Sequence, residues 1–167
     1  MDNEKEFTRK EVSDIVDKMA RTLAALYYFM ADEVVGEFGE AGESAVRRAI
    51  HKYGTERGRK IRKEVEAKGL PLTVANLSRF YDLPLPLAWL SDKIRVEENY
   101  LEKQVTYCPF AEEWKRLHGE RLGRIYCEQD LTMRAAYNEE LDLQQFTNVL
   151  RGEPHCHTVL QWKEKKD

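Results

Sequence analysis

The sequence predicts an α+β fold: long N-terminal helices followed by a four-stranded antiparallel sheet of two hairpins, with a helical pair inserted between them. Three observations carry that prediction. Apolar residues recur at intervals of three and four across 9–68, the period of a helix face. Beyond residue 93 the period shortens towards two, the period of a strand. Finally, the order helix, helix, strand, strand, helix, helix, strand, strand places two hairpins in one sheet with helices on a face.

Each element has its own signal. From Arg9 to Phe38, Val12, Val16, Met19, Leu23, Tyr27, Met30 and Val34 form one stripe, while Glu11, Asp14, Asp17 and Lys18 lie off it. The glycines of G-E-F-G-E-A-G stop this helix. Such a stripe fits a core helix or a dimer helix, so a homo-oligomer through 9–38 is expected. A second helix runs from Glu43 to Lys68, with Ala45, Ala49, Tyr53, Ile61 and Val65 on its apolar side. Gly54 and Gly58 sit inside it, each costing about 1 kcal/mol against alanine. Their spacing lets another backbone or a ligand come close, and tight helix packing is the expectation. Residues 69–91 are irregular, with Pro71, Pro84, Pro86 and a short helix over Thr73–Tyr81. The run L-P-L-P-L-A-W-L covers a core edge, or walls a pocket or an interface.

A hairpin follows, Lys93–Glu98 and Tyr100–Tyr107, from the alternation of Ile94, Val96, Leu101, Val105 and Tyr107. Pro109 opens a helix through His118, and another runs from Glu120 to Tyr137. The last strands are Leu141–Leu150 and His155–Trp162, and the polar tail K-E-K-K-D frays. The chain reads as a single domain, 1–167, with a helical part at 9–68 and an α+β part at 93–162 that carries the site.

Composition excludes some functions. Lys plus Arg is 27 against 30 Asp plus Glu, a net charge of −3, so no nucleic-acid partner is expected. No apolar run is long enough to span a bilayer, and M-D-N-E-K-E is no signal sequence. A cytoplasmic protein with reduced thiols, a small-molecule substrate and no membrane partner is the expectation.

The reactive residues crowd into the last third: Cys108, Cys127, Cys156, His118, His155 and His157. Cys108 precedes Pro109, which puts it at a helix N-cap, where free amides and the helix dipole favour a thiolate. Its other reading is a buried, inert cysteine at a strand end. Cys127 and Asp130 are three apart on a predicted helix and share a face. Asp130 then acts as a base, orients an imidazole or ligates a metal, or else it forms a surface ion pair. In H-C-H the strand period turns Cys156 to one face and His155 and His157 to the other. Cys108, Cys127 and Cys156 with His155 or Asp130 have the chemistry of a divalent metal site such as zinc, although no C-x-x-C module is present. Tyr107 and Tyr126 either fill core or stack on a ligand. Arg47 and Arg48 are candidates for holding a substrate carboxylate, or else form a solvated helix face.

Y-C-P-F-A-E-E-W at 107–114, L-G-R-I-Y-C-E-Q-D at 122–130, Y-N at 137–138 and L-R-G-E-P-H-C-H at 150–157 resemble, in order and spacing, the L-2-amino-thiazoline-4-carboxylic acid hydrolase family. The segment A-V-R-R-A-I-H-K-Y-G-T-E-R-G at 45–58 fits the same pattern. The resemblance implies a hydrolase that opens a cyclic isothiourea with water, giving S-carbamoyl-cysteine. It implies a site at Cys108, Cys127, Asp130 and Cys156, with Asp130 or His157 moving protons and Cys108 as nucleophile or ligand. The order of elements is also similar to small-molecule-binding domains of the vinyl-reductase-like type, which implies a sensor or carrier without catalysis. A structural or assembly subunit using the first helix is a third reading.

Overall fold

A computed structural model describes residues 6–163, and the tail expectation for 164–167 lies outside them. Helix α1 spans Arg9–Glu66 and starts at a capping box, with Thr8 Oγ1 accepting from the Glu11 amide and Glu11 reaching back to Thr8 N. The two helices expected over 9–68 run end to end, joined at Gly39. Gly39 has φ 55 and ψ −132, a left-handed φ open to glycine and strained for other residues. Then come α2 (Val74–Arg79), α3 (Leu85–Ala88), β1 (Leu90–Glu97), β2 (Tyr100–Tyr107), α4 (Pro109–Arg116), α5 (Glu120–Cys127), α6 (Gln129–Tyr137), β3 (Leu141–Thr147), a 3₁₀ turn (Val149–Arg151) and β4 (Cys156–Trp162). The helix expected over 120–137 is thus broken at Glu128, and the strand expected to reach Leu150 ends three residues early. Asn148 causes that early stop by capping the 3₁₀ turn, its side chain accepting from Leu150 N.

The sheet is antiparallel, in the order β1-β2-β4-β3. Its register sets the site. Leu101 faces Leu160, Lys103 faces Thr158 and Val105 faces Cys156, and on the far side Gln145 faces Thr158. Directly paired residues share a face. One row across the sheet is therefore Ile94, Lys103, Thr158 and Gln145, with apolar rows on either side of Lys103.

Two apolar clusters pack beneath this sheet and along α1. One gathers Ala24, Phe110, Trp114, Tyr126 and Leu150, with the Trp114 indole donating to Ala24 O at 3.0 Å. The other gathers Ile61, Val65, Leu77, Met133, Tyr137 and Leu160. The close approach predicted at Gly54 and Gly58 is made by α6, since a Cβ on Gly54 would lie 2.3 Å from Gln129 O. Met19, Leu23, Leu26, Phe29, Met30 and Phe38 of α1 are exposed. Among the described residues no helix is long and apolar enough to cross a membrane.

Candidate functional site

Three adjoining cavities lie between the sheet and the helices. The central one, of about 110 Å³, is lined by Cys108, Cys127, Cys156, Trp89, Tyr126 and Asp130, together with Lys103. Such a volume holds a few waters, each occupying about 30 Å³. A polar cavity of about 390 Å³ shares Lys103, Cys127 and Asp130 with it and adds Arg47, Arg124, Arg134, Asn148 and Arg151. An apolar cavity of about 590 Å³ shares Tyr81, Leu83, Leu85, Trp89 and Lys103 with the thiol cavity. Lys103 lines all three. The thiols, Lys103 and Asp130 keep some accessible surface although protein surrounds them, so that surface faces the cavities.

The fold brings Cys108, Cys127, Asp130 and Cys156 together. Cys108 follows β2 directly and stands at the N-cap position of α4, as its sequence position predicts, without a side-chain capping bond. Its thiol is nonetheless pushed up to about 11 by burial, which the Ala111 and Phe110 amides and the Trp89 indole oppose without cancelling. The expectation of a lowered N-cap pKa therefore fails, because desolvation outweighs the helix terminus. Burial also raises Cys127, aided by Cys108 and Asp130. Cys156 is raised by burial too, against the Val149 amide that donates to its sulfur at 3.4 Å. All three are thiols at neutral pH. Native protein is expected to react with a disulfide reagent at pH 7.5 far more slowly than unfolded protein. A native thiol reacting at the rate of free cysteine would contradict that burial.

Asp130 is held from one side. Its Oδ1 accepts from the Tyr81 hydroxyl at 3.3 Å, the Gln129 amide at 3.0 Å and the Arg134 guanidinium at 3.1 Å. Its Oδ2 takes none of these and is the acceptor left for a ligand. Burial opposes ionisation of Asp130, yet Arg134, Lys103 and Arg57 outweigh it and hold the carboxyl below its usual range. Arg57 buttresses the arrangement. It is 5% exposed, pairs with Asp82 at 2.8 Å, donates to Gln129 Oε1, and lies over Tyr81 at 5.4 Å. Burial works against its charge, and Asp82 and Tyr81 outweigh that penalty.

Lys103 is the residue the sequence reading missed. Burial first and Arg134 second lower its pKa, against Asp130. Among the described residues its ammonium forms no hydrogen bond or ion pair. A signal was present: in β2 the period that makes Leu101 and Val105 inward makes Lys103 inward as well. Arg134 was also unremarked. Its side chain is 5% exposed, and its Nε is buried without a partner.

Other candidates stand elsewhere. His157 lies on the opposite face of β4, bonded to Glu102 at 2.9 Å, with the His155 ring 6.4 Å away. Glu102 is lowered by that bond and by Tyr100. Tyr107 donates to Asp17 at 2.6 Å and accepts from Arg21, tying β2 to α1 beside a different hollow. Arg47 reaches the polar cavity but is paired with Glu128 and Glu43 at 3.1 Å, and Arg48 is exposed. Tyr126 walls the thiol cavity, its ring packed edge-on to Tyr27 and Phe110. Among the described residues no group of three or more His, Cys, Asp or Glu side chains is placed to hold a metal ion.

A helix-backed antiparallel sheet thus borders a charged, thiol-lined cavity, the kind of concave setting in which small-molecule sites occur. The chain belongs to the L-2-amino-thiazoline-4-carboxylic acid hydrolase family, whose model matches residues 17–160. No curated protein matches it. Among solved structures it is similar to a trafficking protein particle complex subunit 3 from Naegleria fowleri, crystallised covalently bound to palmitic acid. That likeness has 12% identity and a TM-score of 0.49, over 87% of this chain and 95% of that one.

Proposed function

We propose that this protein opens a cyclic isothiourea carboxylate, of the aminothiazoline kind its family is named for, by adding water across the ring C=N bond. The observation that carries the reading is Asp130, an ionised carboxylate with Oδ1 fixed by three donors and Oδ2 open beside the unpaired Lys103. Asp130 takes a proton from water as its oxygen bonds to the ring carbon, and Lys103 protonates the ring nitrogen. The C–N bond then breaks. Asp130 returns its proton to the departing nitrogen, while Lys103 regains one from the hydroxyl as the carbonyl forms. Arg151 and Arg124, in the polar cavity, hold the substrate carboxylate. Cys108, Cys127 and Cys156 act here as neutral walls of the cavity.

The test is ring opening of 2-aminothiazoline-4-carboxylate followed by NMR between pH 5 and 10. Turnover should hold through neutrality, because Asp130 stays ionised, and fall on the alkaline side as Lys103 loses its proton below the usual 10.5. Absence of turnover by folded protein sinks the reading. Binding without turnover would favour the second one, a binding module without catalysis. The three protonated thiols and the large apolar cavity support that alternative.

A further inference from the structure

The apolar cavity is unused by that chemistry. At about 590 Å³ it falls within the range of about 300–1,000 Å³ that holds drug-sized ligands. An aminothiazoline ring needs only the thiol and polar cavities. The apolar cavity is walled mainly by Leu77, Leu83, Leu85, Trp89, Ile94 and Leu160, and its cations are Lys103 and Arg134, which are not exposed, and the exposed Arg79. Lys103 has no hydrogen-bond or ion-pair partner among the described residues, and Arg134 keeps a buried Nε with none. The row Ile94, Lys103, Thr158, Gln145 crosses from the apolar cavity to the polar one, with Lys103 at the border.

Apolar walls that end on cations, one of them Lys103 with no partner among the described residues, complement an anion with an apolar body. We propose that this cavity binds a monocarboxylate with an apolar body, its carboxylate on Lys103 and Arg134 and its body between α3 and β1. A carboxylate there supplies the hydrogen-bond partner that the Lys103 ammonium lacks, beside the guanidinium charge of Arg134. Asp130 pairs with Arg134, so a second anion is what balances Lys103 and Arg134 together. This assignment concerns binding alone and stands whether or not the ring is opened.

Calorimetry with decanoate, decanol, decyltrimethylammonium and acetate on the full chain tests it, with mass by light scattering alongside. Decanoate is expected to bind at least about tenfold more tightly than decanol, since a hydrogen bond to a charged group is worth about 1.5–3 kcal/mol. The ammonium should not bind, and acetate should bind far more weakly than decanoate. Lys103→Met should erase the preference for decanoate over decanol. Ile94→Glu, at an exposed position, should weaken both without unfolding the protein. Equal binding of decanoate and decanol, a preference unchanged by Lys103→Met, or acetate binding as tightly as decanoate would each overturn the proposal. So would a dimer that excludes decanoate and dissociates on Ile94→Glu, because a second copy would then fill the groove.

Discussion

Asp130→Asn is expected to lower kcat/KM for ring opening by about 10²–10⁴-fold, the usual worth of a general base. The amide oxygen can still accept from Tyr81, Gln129 and Arg134, so the position of the side chain is kept. What changes is the other atom, where an N–H donor replaces the Oδ2 acceptor. Stability should fall as well, by about 1–3 kcal/mol, because Arg134 and Lys103 lose their counter-charge. The sign with pH follows from the lowered pKa of Asp130. Its stabilisation is present above the unfolded carboxyl pKa and is lost as pH falls through the folded one. Wild type and Asp130→Asn should therefore converge in Tm at acid pH and separate above it.

Lys103→Met is the matching variant, with the opposite effect on stability. Activity should fall by a similar factor, since the ring nitrogen loses its proton donor. Yet Tm should rise. The folded pKa of Lys103 is lowered, so below that value the folded state holds a charge that the unfolded chain hydrates better. This penalty is fully present below the folded pKa and disappears as pH rises towards the unfolded one. Replacing a buried ion by an apolar side chain of similar length is neutral or stabilising by about 1–4 kcal/mol. Two inactive variants, one less stable and one more stable, identify a site held in place against its own charge. If both variants retained wild-type turnover, the proton-transfer roles would be wrong and the binding-module reading would stand.

Local pattern reveals some of this and not the rest. The stripe of α1, the strand alternation and the Cys108–Pro109 junction are local signals, and they place the helices and strands in order, though not the break at Glu128, the early end of β3 or the exposure of Met19, Leu23 and Met30. The gathering of Cys108, Cys127, Cys156 and Asp130 was legible because those residues sit in marked segments at element ends. Proton affinity was not legible for Cys108. The N-cap position predicts a lowered pKa, but burial depends on Trp89, Phe110 and Trp114 closing over the thiol. Lys103 was hidden for the converse reason. A lone lysine in a strand looks like a solvated residue until the register shows Leu101, Val105, Cys156 and Thr158 on its face. The strand period turns His157 away from Cys156 and so away from the thiols, whereas His155, expected on the same strand face, precedes β4.

Gly58→Ala should destabilise the fold although alanine is the better helix former. An added Cβ would lie 2.1 Å from Met133 O and 2.9 Å from Met133 C and from Ala136 Cβ. A backbone carbonyl inside α6 cannot rotate away without losing its helical hydrogen bond, so the helices must part by roughly 1 Å. Overpacking of this kind costs about 1–3 kcal/mol and occasionally more, against the gain of about 1 kcal/mol that alanine brings to a helix interior. Gly36 supplies the control. It lies in the same helix, and a Cβ added there would meet nothing within 4 Å, so Gly36→Ala should stabilise by up to about 1 kcal/mol. The same substitution in the same helix then has opposite signs, decided by α6 alone. Since α6 also carries Asp130 and Arg134, Gly58→Ala should lower turnover at temperatures where the variant is still folded. Equal Tm shifts for the two variants would mean that α1 and α6 do not touch as described.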